Sequence, residues 1–256
     1  MLGFAEPRLF GLCKYMNNSN TELDTGSLKP GTSKAFFRPM RKTSDGSCPA
    51  HYCIPARRAN NGQLAIGDAI LLEGSMGKAL ETKTLEKNIT WMMTRTITFM
   101  RAARSRGDSP AVIVPMNSAA LRSKEVASAF TQKCREIDQD MKDQFTVEAF
   151  NFPKNMSLGY LDDIAILLYP FSPVYIARPN MGWSDFTVLA NCNFQGASID
   201  LHDKPWPIEK AQPYLEDFVR NCQANRLPAY AHGMGTPEIA SAAKAAGFDY
   251  LDGKVV

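Results

Sequence analysis

Residues 227–256 contain the polar side chains that are best placed to form a functional site. An apolar run at residues 228–231 is typical of a strand, Thr236 can cap the start of a helix, and Gly247 can end that helix. In folds where parallel strands alternate with helices, functional groups lie in the loops that follow the strands. His232 stands at such a position, and an imidazole beside carboxylates can bind Zn²⁺ or Fe²⁺. The stretch therefore predicts a functional loop within a unit of strand, loop, helix and strand.

The elements that position this loop begin with a hairpin. Two strand-like runs, residues 35–40 and 47–54, flank a turn at residues 44–46, so the first two strands should be antiparallel. Apolar residues at helical spacing then predict a long helix over residues 80–104.

From residue 107 onward, strand-like and helix-like segments alternate regularly. Together with the hairpin they give about eight strands and about six helices, which is the pattern of a closed barrel. We therefore predict an α/β fold, a TIM-like (β/α)8 barrel whose first strand is antiparallel. The predicted strands after the hairpin cover residues 111–114, 145–150, 173–177 and 195–201, and the predicted helices cover residues 123–142, 156–168, 183–192 and 212–224.

The chain has 256 residues and no Pro/Gly/Ser-rich linker in its middle, which favours one large domain. We predict two segments, an N-terminal arm with a flexible linker over residues 1–32 and a barrel domain over residues 33–256. Apolar residues within residues 1–16 could form a short amphipathic docking helix. A frayed terminus explains them equally well.

Composition argues against several classes of function. The net charge of +3 is spread along the sequence without a dense basic cluster, which argues against a nucleic-acid polymer as partner. The six cysteines are scattered and lack metal-ligand spacing, which is typical of reduced thiols in a cytosolic protein. No stretch is long and apolar enough to span a membrane, and a secretory signal is not supported. We therefore expect a cytoplasmic protein without a membrane span.

Four segments carry a likeness to a known family. They are GQLAIGDAILLE at residues 62–73, VIVPMNSAAL at residues 112–121, FTVEAF at residues 145–150, and AYAHGMGTPE followed by AAGFDYLDG within residues 229–253. In their order and spacing they resemble the EAL domain of bacterial cyclic di-GMP signalling, and the likeness covers roughly residues 33–256. The fold that the resemblance implies is a barrel with a reversed first strand, in agreement with the alternation of elements.

Active members of this family hydrolyse a phosphodiester with a two-metal site, in which clustered carboxylates hold Mg²⁺ or Mn²⁺. The resemblance places most residues of that site at positions where this chain has other side chains. Of the carboxylates in the set, Glu148 and Asp200 remain. The replaced positions are the EAL glutamate at Tyr52 or His51, an asparagine at Pro115, two aspartates at about Ala177 and Arg178, a lysine at Ser198, two glutamates at His232 and Gly235, and a glutamine at Asp252.

The resemblance therefore implies a degenerate EAL domain without phosphodiesterase activity. At Ala177 and Arg178 two negative charges are lost and one positive charge is added, so a site built for dications should repel them. We expect no catalytic residue, no cofactor and no ordinary metal site in this chain.

Three interpretations of the remaining polar residues stay open. Arg178 could pair with Glu148 or Asp200 and fill the site with a salt bridge. Arg178 and Arg38 could instead bind a phosphate-bearing ligand. A replacement metal site could also form from histidines and carboxylates. The candidate ligand-binding residues are Arg38, Glu148, Arg178, Asp200 and His232, and the candidate metal ligands are Glu148, Asp200, His51 and His232.

These interpretations lead to three functions. The first is a regulatory module that binds an unidentified protein partner in bacterial signalling, with Trp183 and Trp206 as candidate anchors and residues 201–214 as a candidate recognition loop. The second, which we favour less, is a receptor that binds cyclic di-GMP or another nucleotide without cleaving it. The third is an active phosphodiesterase with an altered metal site. The resemblance also implies a homodimer.

Overall fold

A computed structural model describes the fold over residues 23–72, 81–154 and 156–256. Strands and helices alternate through most of these ranges, and none of the helices described there combines the length and apolar character that a membrane crossing requires. The elements in chain order are β1 (Thr32–Lys42), β2 (Ala50–Arg58), β3 (Leu64–Ile66), α1 (Ala69–Leu72), α2 (Thr82–Ser105), β4 (Ala111–Asn117), α3 (Ser118–Leu121), α4 (Lys124–Cys134), a 3-10 turn (Gln139–Gln144), β5 (Phe145–Phe150), α5 (Leu158–Leu168), β6 (Val174–Arg178), α6 (Thr187–Asn191), β7 (Ala197–Asp200), α7 (Ile208–Ala224), β8 (Ala229–Met234), α8 (Pro237–Ala246) and β9 (Tyr250–Gly253).

Of the nine strands in the described ranges, eight close into a barrel. β1 pairs antiparallel with β2 on one side and with β9 on the other, whereas the neighbouring pairs from β2–β4 to β8–β9 are parallel. β3 is an additional short strand that pairs antiparallel with β2. The predicted TIM-like barrel with an antiparallel first strand is therefore confirmed.

The barrel strands are buried on both faces, because their inner faces line the barrel and their outer faces contact helices. In β5, every residue is buried. Met40, Ile113 and Ile176 pack in an apolar layer inside the barrel, whereas Val147 belongs to the core beneath the helices. Because this inner layer is apolar, the polar side chains that enter the barrel gather at the carboxyl ends of its parallel strands.

Three helices differ in extent from the sequence prediction. The helix predicted over residues 123–142 divides into α4 and the 3-10 turn, and the helix predicted over residues 183–192 contracts to α6. α7 instead begins earlier, at Ile208, with Pro213 inside it. Ala211 is buried and Ile208 packs against the core, so contacts of the first turn stabilise a helix that an internal proline disfavours.

Residues 23–31 pack onto the barrel. Leu28 is buried, and Arg58 donates hydrogen bonds to the backbone carbonyl oxygens of Thr25 and Leu28. The docking helix predicted within residues 1–16 lies outside the described residues. The arm over residues 1–32 therefore stays a prediction.

Candidate functional site

Alternation along each strand decides which polar residues enter the barrel. Tyr52 lies opposite Arg38 in the hairpin register, and both side chains point inward. The inward polar residues form a charged group at the carboxyl end of the barrel, which we call the mouth cluster. Its members are Arg38 on β1, Tyr52 on β2, Glu148 on β5, Arg178 on β6, Ser198 and Asp200 on β7, His232 on β8, Asp252 on β9, and the loop residues Asp68 and Asp203.

The Arg178 guanidinium lies among three carboxylates of the mouth cluster. Nη1 donates a 2.8 Å hydrogen bond to Asp200, and Nη2 donates a 2.7 Å hydrogen bond to Asp68. Nε lies 3.4 Å from a Glu148 oxygen, and the guanidinium carbon lies 4.6 Å from the ring centroid of Phe150. This arrangement is the internal salt bridge of the first interpretation, but Arg178 has three carboxylate partners instead of one.

Glu148 is fully buried, and both of its carboxylate oxygens have partners. Tyr52 donates to Oε2 at 2.7 Å, and Ser198 donates to Oε1 at 2.5 Å. His232 Nε2 lies 2.9 Å from Oε1. Burial alone would raise the pKa of Glu148, but the charges of Arg178 and His232 outweigh burial and lower the pKa to about 2. Glu148 is therefore an anion whose oxygens are already used by groups of the chain itself.

His232 joins two buried carboxylates. Its Nδ1 lies 2.5 Å from Asp252 Oδ2, its Nε2 faces Glu148, and its ring stacks on Tyr52 with 3.9 Å between centroids. Burial alone would lower the pKa of His232, but Glu148 and Asp252 raise it to about 10. An imidazolium donates from both ring nitrogens and has no lone pair for a metal ion. At neutral pH, His232 is therefore a cation of the mouth cluster.

Arg38 binds the carboxylates on the other side of the mouth cluster. Its terminal nitrogens donate to the two carboxylate oxygens of Asp203 at 3.1 and 2.7 Å. Nη1 also lies 3.4 Å from Asp252, which accepts a 3.2 Å hydrogen bond from the backbone N–H of Gly233. Since the Arg38 side chain is only 2% exposed, these contacts hold a nearly buried charge.

Carboxylates outnumber cations in the mouth cluster. Five carboxylates face two arginines and the protonated His232. Burial raises the pKa of Asp68, and the opposing charge of Arg178 does not cancel that effect. A cavity of about 630 Å³ lies over the cluster and is lined by Arg38, Asp68 and the exposed Lys204, among others. The floor of the mouth is therefore filled by ion pairs, and the space above it is open.

His51 does not lie in the mouth, contrary to the sequence expectation. It is 4% exposed and lies on the outer face of β2, where its ring centroid is 5.3 Å from that of Phe99 on α2. Burial lowers the pKa of His51 to about 4. The physical reason is strand alternation, because Tyr52, the next residue, points inward. Of the two positions considered for the EAL glutamate, Tyr52 is the one that faces the site.

Sequence reasoning missed Asp68, Asp203 and Asp252 as partners of the arginines. For Asp252 a signal existed, because it shares its face of β9 with Tyr250, which packs against the inner core. Asp203 had no such signal. Its position depends on a loop in which His202 and Asp203 both adopt left-handed conformations, with φ of 57° and 55°.

The candidate partner-binding residues lie at the edge of the core. Trp183 is half-buried and stacks on Phe186 with 5.9 Å between centroids. The Trp206 indole N–H donates to the backbone carbonyl of Leu201 at 3.3 Å. Because α7 begins at Ile208, the loop predicted over residues 201–214 is shorter than expected. The role of both tryptophans as anchors stays a prediction.

No family model and no curated protein sequence matches this chain. Solved structures match its fold. The PaMucR phosphodiesterase in complex with c-di-GMP has a TM-score of 0.70 at 12% identity, over 87% of this chain and 90% of that chain. The Xanthomonas citri FimX EAL domain in complex with c-diGMP has a TM-score of 0.62 at 14% identity, over 88% and 86% of the two chains.

A third structure extends the same comparison. The Bacillus subtilis YkuI protein, with an EAL domain and in complex with substrate c-di-GMP and calcium, has a TM-score of 0.66 at 10% identity. The match covers 86% of this chain and 54% of that chain. These similarities show that this chain has the fold of EAL domains.

The residues of the mouth cluster do not fit the Mg²⁺ or Mn²⁺ ions that the EAL fold implies. The guanidinium of Arg178 already lies between Asp68, Glu148 and Asp200, and it would repel a dication at the same place. Over the described ranges, no three His, Cys, Asp or Glu side chains are arranged to hold a metal ion.

Proposed function

We propose that this chain is an EAL-fold regulatory module that does not cleave cyclic di-GMP and acts in bacterial signalling by binding a protein partner. The observation that carries the first part is the position of Arg178. Its guanidinium hydrogen-bonds Asp68 and Asp200 and lies 3.4 Å from Glu148, at the place where carboxylates would have to hold metal ions.

Two-metal hydrolysis of a phosphodiester needs free carboxylate oxygens that bind dications, which in turn activate a water molecule. In the mouth cluster the oxygens of Glu148 already accept from Tyr52 and Ser198, and those of Asp200 are engaged by Arg178 and by the backbone N–H of His202. In this proposal the cationic groups of the chain balance the charge of the carboxylates in place of metal ions, and they cannot activate water as a metal ion does.

The test of this part is a hydrolysis assay. Purified chain and cyclic di-GMP are incubated with Mg²⁺, Mn²⁺ or Zn²⁺, and linear dinucleotide is measured beside an active EAL phosphodiesterase. We expect a flat time course with all three ions. Release of linear product above the metal-free background would overturn the proposal and support an active enzyme with an altered metal site.

Exposed apolar side chains at the end of α5 support the second part, the binding of a protein partner. Ile166 on α5 and Tyr169 directly after it are each 72% exposed and form what we call the α5 face. Residues three apart on a helical backbone are neighbours on its surface, and exposed apolar patches are typical of interaction sites. A double change, Ile166→Ser with Tyr169→Ser, should abolish retention of the partner in a pull-down, while Asp217→Asn on the exposed face of α7 should retain it. Equal retention by both variants would exclude this face.

The proposal keeps the cytoplasmic location that the scattered cysteines of the sequence led us to expect. A second copy of the chain is an alternative occupant of the α5 face. Sedimentation of the wild-type chain and of the double variant distinguishes a homodimer from a complex with another protein.

A receptor that binds cyclic di-GMP without cleaving it is the second candidate function. The cavity of about 630 Å³ over the mouth cluster favours it, because small-molecule sites commonly have this size. Calorimetry should then show saturable binding that weakens in Lys204→Gln, since Lys204 lines the cavity as an exposed cation. No heat at high ligand concentration would remove this candidate.

A further inference from the structure

Arg38 holds the Asp203 carboxylate in the arrangement with which an arginine binds a phosphate group. Two nitrogens of one guanidinium donate to two oxygens of one anion, at 3.1 and 2.7 Å. Arginine binds carboxylates and phosphates in this same two-point arrangement. Asp203 therefore occupies Arg38 as a phosphate ester would.

Asp203 is supplied by a loop and not by the barrel wall. The loop joins β7 to α7, and its residues His202 and Asp203 have φ of 57° and 55°, a left-handed conformation that His and Asp adopt more readily than most residues with a side chain. A hydrogen bond from the backbone N–H of Asp203 to the carbonyl oxygen of Gly233 holds the loop to β8. Movement of this loop would break that bond and withdraw Asp203 from Arg38, while the strand that carries Arg38 stayed in place.

Arg38 has more capacity to donate than Asp203 uses. Its Nε is buried and has no hydrogen-bond partner among the described residues. The other carboxylate near Arg38 is Asp252, at 3.4 Å, and this group already interacts with His232 Nδ1 and the backbone N–H of Gly233. Without Asp203, Arg38 would therefore be a nearly buried cation that keeps only its 3.4 Å contact with Asp252, a carboxylate that it shares with His232.

The cavity above Arg38 provides room and a second cation for an anion. Lys204 follows Asp203 in the same loop and lines the cavity of about 630 Å³ together with Arg38. The acidic groups nearest to Arg178, Asp68 and Asp200, are paired with that arginine, so their charges are partly neutralised.

We propose that Arg38 anchors a binding site for the phosphate group of a small molecule, and that Asp203 occupies this site as an internal competitor. A phosphate-bearing ligand displaces the Asp203 carboxylate, binds Arg38 through two parallel hydrogen bonds and takes Lys204 as a second contact. Because the competitor is tethered, the wild-type chain binds such ligands weakly. The affinity of the site rises whenever the loop is withdrawn, for example when a protein binds the loop.

This inference shares its cavity with the receptor function but does not rest on the absence of cleavage. Product release in the hydrolysis assay would overturn the proposed function and leave the inference standing. The binding experiment below can fail while the hydrolysis assay still gives a flat time course.

The experiment is calorimetry at low ionic strength on the wild-type chain, Asp203→Asn, and the double variant Asp203→Asn with Arg38→Gln. Inorganic phosphate, GMP and cyclic di-GMP are titrated separately, which distinguishes free phosphate, a monoester and a diester. We expect Asp203→Asn to bind at least one of the three about tenfold or more tightly than wild type, because a carboxylate beside an anion site opposes binding. The double variant should lose this gain.

The matched control is Asp217→Asn, which removes one negative charge from a side chain that is 65% exposed and paired with Arg220 on α7. Its affinities should equal those of wild type. Equal affinities of wild type and Asp203→Asn for all three probes, or a gain that persists without Arg38, would overturn the proposal.

A second measurement on the wild-type chain applies if Asp203→Asn does not fold. Side-chain NMR of arginine should show a saturable shift of the Arg38 Nε–H with phosphate, at a dissociation constant of about 1–10 mM. Chloride at equal ionic strength should produce none. Absence of a saturable shift with phosphate would contradict the inference.

Discussion

Replacement of Arg178 by methionine tests how strongly the mouth cluster depends on one guanidinium. The change keeps an unbranched side chain and removes the charge that holds Asp68, Glu148 and Asp200. Breaking a buried ion pair by removal of one partner costs about 3–5 kcal/mol, because the other charge stays buried and uncompensated. Three carboxylates lose a partner here, so we expect a loss of about 3–5 kcal/mol in the free energy of unfolding at pH 7.

The pKa shifts determine how the loss of unfolding free energy in Arg178→Met should change with pH. In the wild-type chain the pKa of Glu148 is about 2, below its ordinary value, because Arg178 and His232 outweigh burial. A depressed pKa contributes stability that is present above the ordinary value near 4 and is lost as pH falls toward 2. Without Arg178, burial dominates and raises the pKa values of the carboxylates. The deficit of Arg178→Met should therefore be largest at pH 7 and should shrink as pH falls toward 4.

The assay is urea unfolding of wild type and Arg178→Met at several pH values between 4 and 7, followed by circular dichroism. Arg220→Met is the matched control, since Arg220 is 70% exposed in its pair with Asp217 and exposed pairs contribute little. The reasoning about a buried network would be refuted if Arg178→Met lost as little free energy of unfolding as the control. It would also be refuted if that loss did not depend on pH.

Two further predictions concern the same end of the barrel. Because the pKa of His232 is raised to about 10, the stability that it contributes is complete below its ordinary pKa near 6.5 and is lost as pH rises toward 10. The urea midpoint of wild type should therefore fall between pH 7 and pH 10 more steeply than that of His232→Gln, and parallel curves would contradict this assignment. Gly235→Ala should lower the thermal midpoint, because its Cβ would lie 2.6 Å from the carbonyl oxygen of Lys204, whereas Gly159→Ala on α5 meets no atom within 4 Å and should not lower it. An unchanged midpoint in Gly235→Ala would show that the loop after β7 does not press on this position.

The fold could be predicted from the sequence because its signals repeat. Strands such as β4 and β5 are largely apolar runs, and the alternation of strands with helices leaves few topologies to consider. Helix ends were harder to place, because tertiary contacts decide them. α7 starts at Ile208 since Ala211 is buried in its first turns, although Pro213 alone predicts a later start.

The candidate site could be predicted only in part. His232 was identified by its position after a strand, and Glu148, Arg178 and Asp200 were identified by the resemblance to EAL domains; the structure brings the four together. The choice between His51 and Tyr52 needed the strand register, which a shift of one residue reverses. Contacts supplied by loops, such as that of Asp203, depend on backbone conformations that the sequence does not reveal.

The mouth cluster explains how Glu148 and Asp200 can stay buried as anions although the site does not fit metal ions. Glu148 and Asp200 would be uncompensated anions if the positions around them were simply lost. Arg178 and His232 supply the positive charge from within the chain, and Tyr52 donates a hydrogen bond to Glu148. Four residues that depart from the EAL pattern, Tyr52, Arg178, Ser198 and His232, thus act together, because each of them neutralises or hydrogen-bonds Glu148. Arg38 binds Asp203, which comes from the loop after β7, and this contact can open while the pairs around Arg178 and His232 stay intact.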